Sequence, residues 1–422
     1  MRDVISELLR LHDTMTQRAE AAAVADAYVA LSDDGRRNFL FMLAHDFWTD
    51  ATAVDAAVVA LSSASDRRAA ERRLRDALVP PADRLLRLLS GLEGGVKFLV
   101  DLRGDVLRVA DGDARARDGH DGHGDLAELD RELKAQLATL FDVGLLELRR
   151  ITWDAPAALL EKLIAYEAVH AIDSWDDLKN RLDSDRRCYA FFHPAMPNEP
   201  LVFVEIALTI GIATELQPLL DARAPDVELD RADTAVFYSI SNCQPGLAGV
   251  NLGTALIKQV VEALRLDLPQ LHRFVTLSPI PGFRPWVEQL LSDGVGVGVE
   301  LRDRERDLLP AEPARVLARL ADTGWDFDEA IRPALLALCA RYLTTTAACR
   351  VADPVANFHL ANGASVERVD WMADSSPTGH LRSFGVMANY LYEPDHIPAR
   401  AEAYVTRGEV PMSSEVRELA AP

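Results

Sequence analysis

Apolar residues recur at helical spacing through the first third of the chain and shift to shorter runs after Thr152. Ser32-Asp33-Asp34 precedes Phe39, Leu40, Met42 and Leu43, the pattern of a capped helix. Ala51 to Leu78 is rich in Ala and Arg and predicts one helix that stops at Pro80-Pro81. Asp83 opens another through Leu85, Leu86, Leu88, Leu89 and Leu92, ended by Gly94-Gly95. Val96 to Val109 follows, with Leu99, Leu102, Val106 and Leu107 on its apolar side, and Leu126 to Phe141 is helical again. Long helices joined by short turns predict an all-α helical bundle over residues 1–149. No side-chain set in it points to chemistry, so its expected work is assembly.

From residue 150 to 422 the pattern is mixed, and the fold class predicted for the whole chain is α+β. Ala155 to His170 and Trp175 to Leu182 read as amphipathic helices. Cys188 to Phe192 and Leu201 to Ala207 read as strands joined by the turn formers between Pro194 and Pro200. Thr234 to Ser241 predicts a strand, followed by a Gly-containing loop, a helix from Leu252 to Leu264 and a strand from Phe274 to Leu277. That order of elements presents helix-terminal amides to a phosphate group.

Composition narrows the partners. A chain of 422 residues predicts two or more domains. Its net charge of -21 argues against nucleic acid and anionic membranes as partners. Cys188, Cys243, Cys339 and Cys349 are scattered, which predicts neither a zinc site nor a disulfide framework and fits a reducing compartment. The start, Met1 to Glu7, places acids where a targeting segment carries basic residues, and the final Ala420-Ala421-Pro422 is no peroxisomal signal. The most apolar stretch, Leu201 to Leu220, contains Glu205 and Glu215, so no membrane span is expected and the predicted location is cytoplasmic. In Asp111 to Asp125, His120 and His123 alternate with Asp, but the glycines between them read as a solvated connector, not a metal site.

Two short stretches carry candidate proton chemistry. They are Leu277-Ser278-Pro279-Ile280-Pro281-Gly282-Phe283 and Asn357-Phe358-His359-Leu360-Ala361-Asn362-Gly363-Ala364. A Ser and a His brought from separate loops are the minimum kit for handling a proton in a small pocket. Taken alone, Ser278 before proline also reads as the end of a strand, and His359 between Phe358 and Leu360 as a hydrogen-bonded core histidine. His193, before Pro194, reads as structural; His170, His272 and His380 lie in no motif, although His272-Arg273 or Lys258 would suit phosphates.

These stretches resemble the malonyl-CoA decarboxylase family, as do Gly94 to Asp101, Thr234 to Ser241, Gly246 to Lys258, Trp371 to Asp374 and Met387 to Tyr392. The resemblance covers nearly the whole chain. The strand, loop and helix also resemble the acyl-CoA core of the GCN5-related acetyltransferase (GNAT) fold, whose frame is Arg/Gln-x-x-Gly-x-Gly/Ala. Here Ala248-Gly249-Val250-Asn251-Leu252-Gly253-Thr254 keeps Gly253 and departs at Ala248 and Asn251. The resemblance implies a GNAT-type mixed-sheet catalytic domain after the bundle, with residues 248–254 binding the coenzyme. It also implies that Ser278 binds substrate and handles a proton, and that His359 donates a proton to the nascent carbanion. A histidine of unperturbed pKa, about 6.5, offers both forms near neutrality. Tyr392 would orient the pair or the carboxylate. Malonyl-CoA supplies its own electron sink, so no cofactor is implied; acetyl-CoA is the product, and self-association runs through the helical domain. An acyltransferase on the same core and a silent acyl-CoA sensor are the other readings.

Overall fold

In the computed structural model, which describes residues 1–116, 123–221, 223, 227–250, 252–292, 300–321 and 329–421, helices begin where short polar side chains cap them. Ser32 accepts the Gly35 N–H ahead of Asp33–Asp46. The single helix expected over Ala51 to Leu78 is two, Ala51–Ser63 and Arg67–Ala77. The break falls in Ser63-Ala64-Ser65-Asp66, where Asp66 accepts the Ala69 N–H and starts a new helix. Ser and Asp compete with the helical backbone for its own hydrogen bonds, which makes such a run a natural boundary. Pro81–Ser90, Gly95–Ala116 and His123–Leu140 follow. Residues 117–122, most of the Asp-Gly-His segment weighed as a metal site, lie outside the described residues.

The chain packs as two units. The first comprises Met1–Glu147 together with two later strips, Phe191–Val202 and Asn242–Leu252. Leu99, Leu102 and Val106 from one helix and Leu126, Leu129, Leu133 and Leu137 from the next are buried at spacings of three and four. The strip Asn242–Leu252 is seated on Gly95–Ala116. A Cβ on Gly246 would overlap the Val100 carbonyl, so only glycine permits that approach. Arg103, 2% exposed, holds the strip in place: Nε donates to Asp130 at 2.8 Å, and Nη1 to the carbonyls of Gly246 at 2.7 Å and Ala248 at 2.8 Å.

The second unit is built on a mixed sheet. Its strands are β1 (Glu147–Ile151), β2 (Arg186–Phe192), β3 (Val202–Thr209), β4 (Thr234–Asn242), β5 (Arg273–Thr276) and β6 (Ser278–Pro279). A separate two-stranded ribbon, β7 (Thr346–Ala347) and β8 (Arg350–Val351), precedes β9 (Ser365–Asp370) and β10 (Met387–Tyr392). The sheet runs β1-β2-β3-β4-β5-β10-β6, with β9 also on β10. β4 and β5 are parallel, and the described register stops at Phe237↔Thr276. Beyond it the chain pairs with β10, where Ala388 faces Ser278. The expected strand, loop, helix and strand are thus present, the helix being Leu252–Asp267.

Side-chain alternation sorts the β5–β6 run into two faces. Val275 and Leu277 enter a core with Val236, Tyr238, Ala373 and Met387. Thr276 and Ser278 therefore face the other way, side by side.

Candidate active site

Ser278 and His359 reach one another from a strand and a helix, not from two loops as the sequence predicted. Ser278 opens β6, and Pro279 and Pro281 restrict the backbone after it. His359 sits on Pro354–Ala361, a helix whose start is set by Asp353: its carboxylate accepts the Val355 and Ala356 N–H groups, both at 2.9 Å, and Pro354 occupies the first turn. The helix ends at Gly363, which has φ +83° and no room for a Cβ beside the Ile397 carbonyl. Asn362 accepts from Thr254 Oγ1 at 2.6 Å.

Four side chains form one hydrogen-bonded line. Ser278 Oγ donates to Thr276 Oγ1 at 2.8 Å and lies 3.2 Å from His359 Nε2. His359 Nδ1 lies 2.8 Å from the Tyr392 hydroxyl. Thr276 Oγ1 also accepts the Tyr390 N–H at 3.2 Å. The His359 ring stacks on Tyr390, centroids 4.6 Å apart, and meets Phe358 edge-on at 5.1 Å. Apart from Phe358, which is half-buried, these groups are buried, His359 to 3% exposure.

Burial sets the charge state. It pushes the His359 imidazole down to about 3, so the ring is neutral at neutral pH. At rest the ring therefore holds one of the two forms that an unperturbed histidine offers near neutrality. Burial also raises the Tyr392 phenol, so that it is protonated at rest.

The remaining candidates separate. Within the first unit, Gly249 has φ +75°, Lys134 Nζ stands close enough to crowd any side chain there, and the Ala248 carbonyl is held by Arg103. Val250 closes a turn by donating to the Leu247 carbonyl, Leu252 is buried, and Asn251 lies outside the described residues. Within the second unit, Gly253 packs so closely on the Phe358 ring that a Cβ would collide with it. The first turn of Leu252–Asp267 is therefore tied to the histidine helix twice, at Phe358 and Asn362.

His193 is structural, as expected: it accepts the Ala195 N–H at Nδ1, lies 3.1 Å from the Leu140 carbonyl at Nε2, and tilts against Phe141. Arg273 pairs with Asp233 at 3.4 Å. A cavity of about 460 Å³ belongs to the first unit and is bordered by Tyr28, Arg36, Phe98, Asp105, Arg108 and Gly246. None of the Ser278–His359 group lines it. The sequence reading passed over Thr276 and Tyr390. The signal for both is the two-residue period that pairs Thr276 with Ser278 and Tyr390 with Tyr392.

Comparison with known proteins matches residues 47–141 to the malonyl-CoA decarboxylase N-terminal domain and residues 144–422 to the malonyl-CoA decarboxylase C-terminal domain. The mitochondrial malonyl-CoA decarboxylase of Anser anser anser is 39% identical over 362 residues, 82% of this chain and 71% of that protein. The Mus musculus protein of the same name is 39% identical over 367 residues, 83% and 73% of the two chains. Among solved structures, malonyl-CoA decarboxylase from Rhodopseudomonas palustris is 38% identical with a TM-score of 0.87, covering 99% of this chain and 98% of its own. That from Agrobacterium vitis is 38% identical with a TM-score of 0.89, covering 100% and 99%. Among the described residues, no helix is long and apolar enough to cross a membrane.

Proposed function

The chain belongs to the malonyl-CoA decarboxylase family and is a carboxy-lyase, and we propose that its reaction runs at the Ser278–His359–Tyr392 line. Malonyl-CoA is the substrate; carbon dioxide and acetyl-CoA are the products. Cleavage of the bond between the carboxylate and the methylene carbon leaves an electron pair, which the thioester carbonyl accepts as an enolate. The protein's tasks are to hold the acyl group in a reactive pose, offer donors to the enolate oxygen and deliver a proton to carbon.

One observation carries the assignment: a neutral, buried imidazole lies between two hydroxyl groups, 3.2 Å from Ser278 and 2.8 Å from Tyr392. Such a ring can lose a proton from one nitrogen while gaining one at the other. A proton leaving for the substrate through Ser278 is then replaced without an imidazolium forming where burial opposes it. The carbon gains one proton per turnover, and water restores it to the line.

Residues 248–254 are our reading for the coenzyme's phosphate end, with Lys134 beside Gly249 as a local positive charge. Self-association through the helical unit is the corresponding expectation for assembly, which light scattering tests. A cytoplasmic location is our reading from the scattered spacing of the four cysteines; two relatives are mitochondrial by name, and fractionation of cells distinguishes the two.

The deciding experiment supplies malonyl-CoA carrying carbon-13 in its free carboxylate, with no acyl acceptor. Labelled bicarbonate and acetyl-CoA are expected. His359→Asn should lower kcat by roughly a hundredfold or more while binding persists. Intact malonyl-CoA in the presence of demonstrated binding would sink the reading, and an unchanged rate in the variant would remove His359 from the mechanism.

A further inference from the structure

We infer that Thr276 is a positioning residue that fixes the direction of the hydrogen-bonded line and thereby the tautomer of His359. This rests on the decarboxylase reading for its catalytic meaning, and on the geometry alone for the tautomer.

The line has a fixed end. A backbone N–H can only donate, so the Tyr390 amide, 3.2 Å away, makes Thr276 Oγ1 an acceptor. Ser278 also donates to Thr276, at 2.8 Å. A serine has one proton, so once it is given to Thr276 the serine oxygen must accept at its other contact. That contact is His359 Nε2 at 3.2 Å, which therefore carries the ring proton. A neutral imidazole has a single N–H, so Nδ1 is bare and accepts the Tyr392 hydroxyl at 2.8 Å. Protons thus point from Tyr392 to His359, from His359 to Ser278, and from Ser278 to Thr276.

The reverse direction is worse on two counts. It leaves the phenol proton of Tyr392, 1% exposed, with no acceptor among the described residues. A buried phenol is a stronger donor than an aliphatic hydroxyl, so leaving it unspent costs more than leaving the Thr276 proton unspent. It also asks Thr276 to donate across a contact whose geometry makes Ser278 the donor. Tyr390 serves the arrangement twice: its amide anchors Thr276, and its ring stacks on His359.

The functional consequence is directional. With Nε2–H aimed at Ser278, the ring's proton stands on the substrate side, ready to refill the serine when the serine protonates the enolate carbon. The O–H bond of Ser278 breaks as the C–H bond forms, Nε2–H passes to the serine oxygen, and Nδ1 takes the tyrosine proton. A proton from water replaces the one Tyr392 gives in the same transfer, so no phenolate is left where burial opposes it, and the hydroxide formed adds to carbon dioxide as bicarbonate.

The test uses full-length protein with nitrogen-15-labelled histidine, the His359 signals being assigned by their loss in His359→Asn. The parent should show a protonated Nε2 and a bare Nδ1. Thr276→Val removes the acceptor and keeps the shape, so the Ser278 proton should turn to Nε2 and the ring should switch to Nδ1–H. Its kcat should fall about tenfold with KM little changed, the loss expected for one hydrogen bond. Thr276→Ser should restore both the tautomer and kcat, which guards against a fold defect in the valine variant. A bare Nε2 in the parent, an unchanged ring in Thr276→Val, or a serine variant as impaired as the valine one overturns the inference. The tautomer signals need no turnover, so absence of carbon dioxide release from the parent would count against the decarboxylase reading alone.

Discussion

The neutrality of His359 at acid pH is the sharpest consequence of its burial. Lowering pH from 7 to 5 is the perturbation. With an imidazole held down to about 3, about 1% of the ring is charged at pH 5; an unperturbed histidine would be about 97% charged there. The difference corresponds to a charging cost on the order of 5 kcal/mol, since each pKa unit is worth about 1.4 kcal/mol. The assay is a nitrogen-15 titration of the ring between pH 7 and 5. The signals should stay those of the neutral form. The sign of the linked stability effect follows. The unfolded histidine binds a proton as pH falls through about 6.5, and the folded one does so only near 3. Between those values the unfolded state holds more protons, so stability is lost at about 1.4 kcal/mol per pH unit as pH falls. Other buried groups add their own slopes; burial raises Glu205 to about 8 and Asp370 to about 7, for example. Comparison with His359→Asn cancels them, and the parent's Tm should drop more steeply than the variant's below pH 6.5. A ring that titrates near 6, or parallel Tm profiles, would refute the reasoning and return His359 to the two-form role expected of a solvated histidine.

Two further outcomes are open to measurement. Asp353→Ala removes the cap of the histidine helix and should cost about 1 kcal/mol in urea unfolding, with a lower kcat at unchanged KM; Asp353→Asn, which keeps an accepting oxygen, should recover most of both. Gly246→Ala forces a methyl group against the Val100 carbonyl and should destabilise the helical unit by roughly 1–3 kcal/mol, visible in hydrogen exchange of Gly95–Ala116.

The sequence carried the chemistry further than the geometry. Ser278 and His359 stand out because turn formers and bulky apolar residues frame them, and the structure brings them within hydrogen-bond reach. Asp353-Pro354 is a helix-start signal, yet the helix it opens spans eight residues, too few for periodicity to announce. The sequence alone therefore places His359 in a loop. Its suppressed ionisation depends on Tyr390 and the strands around it, and no local pattern reports desolvation. The break between Ala51–Ser63 and Arg67–Ala77 was legible in Ser-Ala-Ser-Asp and was outweighed by the helix propensity on either side. The seat of Gly246 on Val100 joins residues far apart in sequence and leaves no periodic trace.

That seat has a consequence for inheritance. The helical unit is completed by Phe191–Val202 and Asn242–Leu252, strips encoded within the catalytic half of the gene. No single crossover can therefore exchange the helical unit between relatives intact. A graft made near residue 147 would bring a new Val100 ridge and a new Arg103 to a glycine turn that had been fitted to the old ones. The two units are bound to travel as one cassette, and a chimera of two parents should fold well only when all three stretches come from the same one.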